Sequence, residues 1–321
     1  MLIPKKESKL ISLVKTILRI ILRARIPLRS SKFSNKIYSN HIHLVLLILR
    51  AKANMSYQLF MDWISNFTEL WTILGISRIP HFTTLHKFAG RFGRRYLDIL
   101  LIITTTETGI RVLYTSIDST GFQLTKASYY YTNIVGRRSK TGRTLKTRLI
   151  KRHLKVTMIT ETRKLVVLAL RIRRGPDNDQ KDFLPAYKKM SRLDKRPLRL
   201  ALGDKGYDAE KHHQFIRETL GGMSVIPVRK NKCEQYKTRG KYRRQMRKGF
   251  SLKVYHQRNM SETMNSTIKR TMGSEIRARK CKYQNREIYY RVICNNIGQT
   301  VSVLIILGFL ESLLLVSFIY I

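Results

Sequence analysis

The hydrophobic pattern changes period at Gly109, and this change limits the possible folds more than any single motif does. From Tyr38 to about Thr108 apolar residues recur at helix spacing: the run His43–Leu49, then Phe60, Trp63, Ile64, Phe67 and Trp71. After Gly109 the period is that of strands. Val112–Ile117 reads as a short strand, and Leu154–Thr160 with Lys164–Arg171 reads as a hairpin around Glu161 and Thr162. Asp177, Asn178 and Asp179 offer caps to a helix reaching about Met190. Leu198–Leu202 is a further buried strand, Ala209–Leu220 a helix ended by Gly221 and Gly222, and Ser224–Val228 a last strand. Three strands, helix, strand, helix, strand is a mixed α/β order, and no internal repeat is visible.

Composition decides the partner class. The 321 residues carry 63 Lys and Arg against 20 Asp and Glu, a formal net charge of +43. A compact chain tolerates that self-repulsion where a polyanion neutralises it, nucleic acid first and an anionic membrane surface second. The hydrophobic fraction of 43% excludes wholesale disorder. Two stretches concentrate the charge: Gly136–Arg152, and Arg229–Lys248 with ten Lys or Arg against one acid, Glu234. Arg137, Arg138, Lys140, Arg143, Arg243 and Arg244 are therefore candidate phosphate contacts, with Tyr236 and Tyr242 interleaved for stacking. The alternative for both stretches is a solvated loop. Gly136–Thr144 is no nucleotide loop, because its glycines are six apart and Arg143 stands where Lys is required.

Upstream, Ser77–Phe88 places Pro80 and Thr83 or Thr84 where a turn would start a second helix. This suits a helix-turn-helix DNA reader and equally any helical hairpin. Leu10–Leu22 carries Lys15, Arg19 and Arg23 at four-residue intervals, an amphipathic basic helix and no signal peptide. Its basic face is either solvated or a DNA-backbone contact. Cys233, Cys281 and Cys294 have neither zinc spacing nor a His pair and read as reduced cytosolic thiols. Val301–Ile321 is long enough to cross a bilayer with one charge, Glu311, but the charge upstream favours a buried helix or tail, and membrane is not expected as a partner. The expected organisation is a basic extension over 1–36, a helical DNA-binding region over 37–108, an α/β domain over 109–298 and an apolar tail over 299–321.

With so few acids, each can be asked its purpose. Asp177, Asp179 and Asp208 sit at helix starts and Glu161 in a turn, so structural roles suffice. Asp118 and Asp204 differ, because each ends an apolar strand, where a carboxylate is costly without a cation. A third acid belongs to the pattern Tyr255-x2-Arg258-x3-Glu262-x6-Lys269. On one continuous helix, with Tyr255 at 0°, the other three fall within about 60° of it, and Met260, Met264, Ile268 and Met272 fall on the opposite side. Oxygen donors without His or Cys suit Mg²⁺ or Mn²⁺, and three carboxylates can hold two such ions about 4 Å apart for phosphodiester chemistry. The bland alternative is a surface ion pair, Arg258 with Glu262 at i,i+4.

These motifs resemble the DDE transposases of bacterial and archaeal insertion sequences, in the group numbered families four and five. Ser116–Thr120, Gly203–Asp208 and the Tyr255–Lys269 signature carry the resemblance, together with Trp71–Phe88, and it covers about residues 55 to 298. It implies an RNase H-like mixed sheet with flanking helices, preceded by a small all-α DNA-binding region. It also implies that Asp118, Asp204 and Glu262 bind two Mg²⁺, and that Tyr255, Arg258 and Lys269 contact DNA near the cleaved phosphate. Members of the group cut at the inverted repeats of their own element and join the freed 3′-hydroxyls to target DNA, as dimers on double-stranded DNA in a prokaryotic cytoplasm. The apolar tail after about Ile297 departs from the pattern. A catalytically inactive copy acting as a DNA-binding repressor, and a structure-selective nuclease of the same fold, are the competing readings.

Overall fold

The computed structural model describes residues 8–34, 37–124, 153–175, 177–229 and 238–319, the last nineteen of these in backbone only. It divides into two compact units, Gly109–Ile288 and a second built from Met1–Thr108 with Tyr289–Ile321.

The helical unit contains α1 (Lys9–Arg23), α2 (Asn40–Ala53), α3 (Tyr57–Ser65), α4 (Thr68–Leu74), α5 (Phe82–Arg91) and α6 (Arg94–Thr106). Ser8, Ser39 and Ser56 cap the first three, each side chain accepting from a backbone N–H three residues on. α1 buries Ile11, Val14, Ile17, Ile20 and Ile21 and leaves Lys15, Arg19 and Arg23 on its outer side, where Arg23 pairs with Glu107. The turn after Pro80 starts α5 at Phe82, one residue before the expected threonines. His81 caps it, its ring nitrogen accepting from Thr83 N. α2 is apolar nearly all round because it is buried nearly all round, from Ile42 to Ala51.

The α/β unit is built on a sheet of β1 (Leu113–Leu124), β2 (His153–Glu161), β3 (Val166–Arg174), β4 (Leu198–Gly203), β5 (Met223–Val225) and the short β6 (Glu275–Ile276). The strand order is β3-β2-β1-β4-β5, with β6 beside the end of β1. β1, β2 and β3 are antiparallel, whereas β4 and β6 run parallel to β1 and β5 parallel to β4. This mixed sheet with helices on both faces is the RNase H-like arrangement. β1 outruns the expected strand by seven residues, because its second half pairs with β2 along the whole of Thr115–Gln123.

Alternation along β1 sorts the residues by face. Leu113, Thr115 and Ile117 face α7 (Gln180–Leu193), where Phe183, Ala186, Tyr187 and Met190 complete a buried core with Ile159, Leu168 and Tyr207. Each such aromatic removed from water contributes about 2 to 3 kcal/mol. Thr115 is the polar one of these three, and its hydroxyl is matched by Tyr187 Oη and the Leu200 carbonyl, both at 3.0 Å. The expected helix over 209–220 is two pieces, α8 (Glu210–Gln214) continuing as a wider π turn over Phe215–Thr219.

The other face receives α11. The chain reaches it through α9 (Lys241–Lys248) and α10 (Leu252–His256), then α11 (Asn259–Met272) and finally α12 (Cys281–Ile319). Among the described residues no helix is long and apolar enough to cross a membrane; the side chains of the apolar run 301–321 lie outside them.

Candidate active site

Asp118 and Asp204 are set by strand register. β1 and β4 are parallel neighbours, and their last paired residues are Ile117 and Gly203. The next residue on each chain is one of the two aspartates, so both lie at the level where the β1–β4 pairing stops; Asp204 leaves β4 there, whereas Asp118, expected at a strand end, lies within β1 opposite Met158 of β2. Gly203 is packed among Ile117, Ile226 and Tyr207, which a Cβ at this position would meet at 3.4 to 3.6 Å, in van der Waals contact. After Gly203 the chain turns through a short 3₁₀ segment, Lys205–Tyr207, which Asp204 caps by accepting from Lys205 N at 2.7 Å. Buried Tyr207 closes this turn back onto β1, its hydroxyl 2.8 Å from Ser119 Oγ, and Ser119 Oγ is 2.7 Å from Thr157 Oγ1 on β2. Burial in this position raises the Tyr207 pKa, so the phenol stays protonated and able to donate. At the far end of the motif Asp208 is bound by Arg243, at 2.7 and 2.8 Å, and by the Arg229 N–H at 3.1 Å.

Glu262 is set by α11 and β1 packing in step. Four helical residues rise about 6 Å and two strand residues about 6.6 Å. Ser261 and Asn265, four apart, therefore meet Ser116 and Asp118, two apart: hydroxyl to hydroxyl at 3.0 Å, and Asn265 Nδ2 to Asp118 Oδ2 at 2.8 Å. Lys269, one turn on, lies over the Phe122 ring at 5.4 Å. The same helix buries Met264, Ile268 and Met272, while Met260, expected among them, stands 36% exposed before the first full turn.

The continuous helix over Tyr255–Lys269 is not present. The chain breaks at Gln257 and Arg258, which places Tyr255 on α10 and makes Arg258 the residue before α11. The break leaves the four residues together all the same. Arg258 Nη1 pairs with Glu262 Oε1 at 2.7 Å and its guanidinium stands over the Tyr255 ring at 5.9 Å. Burial disfavours the Arg258 cation, but the hydrogen bond and charge of Glu262, with Tyr255 and Asp204, raise its pKa above the ordinary value. Asp118 is held above the usual carboxylate range, first by burial and also by the Glu262 charge, against the lowering pull of the Ser119 N–H, Arg258 and Asn265. Burial lowers the Lys269 pKa while the Asp118 charge opposes it. Tyr255 is raised by burial and by Asp204 and Glu262, which Arg258 opposes. The charge of Arg258 thus acts on Asp118, Asp204 and Glu262 alike, and it forms an ion pair with Glu262.

This is the donor set of a hard cation: oxygens only, with one acid whose proton affinity is raised by burial and a second acid. The chemistry fits a divalent ion. Glu262 is paired with Arg258, and among the described residues no three acidic, His or Cys side chains converge to metal-binding distance.

Residues 114–297, more than half of the chain, match the family model for the transposase DDE domain. The chain belongs to that family. Among solved structures, the DDE chain is similar to the piggyBac transposase in its synaptic complex with hairpin DNA, determined by cryo-EM. The identity is 12%, the match covers 90% of this chain and 72% of that chain, and the TM-score is 0.45. Among curated proteins none matches.

Of the basic candidates in the DDE domain, Arg137, Arg138, Lys140 and Arg143 lie outside the described residues, as do Cys233 and Tyr236. Arg243 is engaged by Asp208, and Arg244 Nε donates to the Gly240 carbonyl at 3.3 Å on an exposed surface. Tyr242 donates to Glu218 and lies under Arg217. Two residues at the site carry no mark in the sequence pattern, Ser261 and Asn265, which bring α11 onto β1; Tyr207 belongs to the Gly203–Asp208 motif, but the sequence assigned no role to its hydroxyl, which ties the Asp204 turn to Ser119. The available signal was the four-residue repeat Ser261, Asn265, Lys269, a polar row on a helix whose other side is apolar.

Proposed function

We propose that the chain is a transposase that binds the terminal inverted repeats of its own element and carries out metal-dependent strand cleavage and strand transfer. The observation that carries this reading is the placement of Asp118 and Asp204 at the level where the β1–β4 pairing stops, with α11 held along β1 so that the Glu262 charge acts on Asp118. Asp118, Asp204 and Glu262 would hold Mg²⁺, or Mn²⁺ in its place, once Glu262 turns from Arg258. Bound divalent ions would activate the attacking oxygen and stabilise the leaving one.

The chain's own groups have separate tasks. Asn265 holds the Asp118 carboxylate in one orientation. Arg258 and Lys269 present cations to phosphate oxygens as charge develops on them. Tyr207 fixes the turn that carries Asp204. The strong positive charge supplies the affinity for double-stranded DNA at the element's ends and at the target, each neutralised phosphate releasing counterions. A dimer on DNA, in a prokaryotic cytoplasm and associated with the nucleoid, completes the reading.

Purified protein incubated with a duplex bearing the element's ends and Mg²⁺ should give nicked and joined products, and Asp118→Asn or Glu262→Gln should abolish both. Undiminished products in those variants would overturn the assignment of the acids. The closed Arg258–Glu262 pair favours one other reading, a DNA-binding copy without catalysis. That reading predicts tight, salt-dependent binding of the ends and no product with any divalent metal.

A further inference from the structure

The turn that carries Asp204 is held by two arginines from farther along the chain. Within the turn, Tyr207 N donates to the Asp204 carbonyl at 2.8 Å and Asp208 N to the Lys205 carbonyl at 3.2 Å. Arg229, beyond β5, lays its guanidinium across the same backbone: Nε donates to the Lys205 carbonyl at 3.0 Å and Nη2 to the Gly206 carbonyl at 2.8 Å. Its own N–H donates to Asp208 Oδ2. Arg243 closes the other side with Nε on Asp208 Oδ1 and Nη2 on Oδ2. The Asp208 side chain is 2% exposed, so its charge needs that cation. The first turn of α9 is fixed in the same place, because Glu210 accepts from the Tyr242 and Arg243 N–H groups, both at 3.0 Å, in space that Gly240 leaves open at φ +97°.

Both arginines belong to the basic stretch Arg229–Lys248, which by composition reads as phosphate contact. Their donors are instead committed to the protein. Arg243 cannot turn to a phosphate without stranding a buried carboxylate, and Arg229 cannot without releasing two carbonyls of the turn. We infer that Arg229 and Arg243 are positioning residues for Asp204: they fix the Lys205–Asp208 turn, and with it the direction from which that carboxylate meets a divalent ion, and DNA phosphate is not their partner. The role rests on the reading of Asp204 as a metal ligand. Shape matters here as much as charge. Arg229 reaches two carbonyls from one rigid plane and Arg243 meets both oxygens of one carboxylate, whereas a lysine ammonium brings the same charge on one atom and keeps neither fork.

The test uses the full-length protein with Arg229→Lys and Arg243→Lys, which keep the charge that DNA would feel. Hydrogen exchange on the metal-free protein reads the turn directly: the peptide containing the Lys205, Tyr207 and Asp208 amides should exchange about tenfold faster in each variant. Paramagnetic resonance of Mn²⁺ reads ion binding without turnover, and half-saturation should need about tenfold more Mn²⁺. Affinity for element ends without metal should not change. Arg229→Gln, which removes the charge at an exposed position, should keep the wild-type salt dependence of that affinity, whereas loss of a phosphate contact would reduce its slope by about 0.9. Either readout at the wild-type value in a lysine variant removes that arginine from the role, and a reduced slope in Arg229→Gln makes Arg229 a phosphate contact; both results leave the transposase reading standing. Should Arg243→Lys not fold, Arg229→Lys carries the test. A wild-type protein that binds no Mn²⁺ overturns Asp204 as a metal ligand, and the positioning role with it.

Discussion

Ser261 Oγ lies 3.0 Å from Ser116 Oγ and donates to the Arg258 carbonyl at 2.8 Å, so one small side chain stitches the first turn of α11 both to itself and to β1. Both serines are buried, and nothing larger fits without pushing the helix from the strand. Ser261→Ala should cost about 1 kcal/mol through the lost hydrogen bond. Ser261→Leu should cost about 1 to 3 kcal/mol by overpacking. It should also reduce nicking far more than that loss of stability accounts for, because it moves Glu262 and Asn265 together. Nicking by Ser261→Leu at the wild-type rate, under conditions where the protein is fully folded, would sink the idea that this contact sets the site.

Arg258 pairs with Glu262, and its charge lowers the Asp118 pKa against burial and Glu262, which raise it. Arg258→Gln removes the lowering influence, so the Asp118 pKa should climb further. Nicking that needs ionised Asp118 is lost as pH falls through that pKa, so the acid limb of the pH-rate profile should move to higher pH in the variant. A limb that stays in place, or moves to lower pH, contradicts this arrangement of charges.

The two aspartates were legible because each ends an apolar run, although only Asp204 stands at a strand end; β1 continues past Asp118 to Leu124 because β2 pairs with it there. The α/β class was legible for a similar reason: seven segments change period at glycines and helix caps. Glu262 was harder. A single helical wheel from Tyr255 puts the signature on one stripe, but the chain breaks at Gln257–Arg258 and the grouping survives through packing rather than through helix periodicity. Met260 shows the cost of the same assumption, since it lies before the region where α11 meets the sheet and stays exposed. Asn265, and the partner of the Tyr207 hydroxyl, were invisible because periodicity tells which side of an element is buried and not which polar atom waits on the other element.

Asp182 is 1% exposed and sits among Arg171 at 2.6 Å, Arg173 at 3.1 Å and Lys155 at 3.5 Å, with Asp179 binding Lys155 at 2.6 Å. This cluster ties the start of α7 to β2 and β3. Removing its most buried acid leaves cations with too few partners, so Asp182→Ala should destabilise the α/β unit by about 3 to 5 kcal/mol. For a unit of this size the melting temperature should fall by roughly 10 °C. Calorimetry of the full chain decides it: a shift under a few degrees would mean that solvent or Asp177 and Asp179 compensate.

Buried histidines give each unit its own acid sensitivity: His43 in the helical unit, and His213 in the α/β unit beside His212, whose pKa burial also lowers. In the helical unit His43 stacks on Phe88 at 4.4 Å and donates through Nδ1 to the Ser39 carbonyl at 2.8 Å. In the α/β unit His213 Nδ1 meets Ser224 Oγ at 2.8 Å with Arg217 nearby. Burial is the first cause that lowers both from 6.5 to about 4, with neighbouring arginine charge acting in the same direction. Between those two values the unfolded chain binds a proton that the folded chain refuses, so stability is fully present above pH 6.5 and is lost as pH falls toward about 4. Each site accounts for roughly 3 kcal/mol over that window, an order-of-magnitude figure. The urea midpoint should therefore drop steeply between pH 7 and pH 5. His213→Gln, which keeps a polar partner for Ser224 but does not titrate, should flatten the drop in the α/β unit, and His43→Phe, which keeps the stacking, should flatten it in the helical unit. Parallel pH curves for the wild type and both variants would show that these rings are not what acid attacks first.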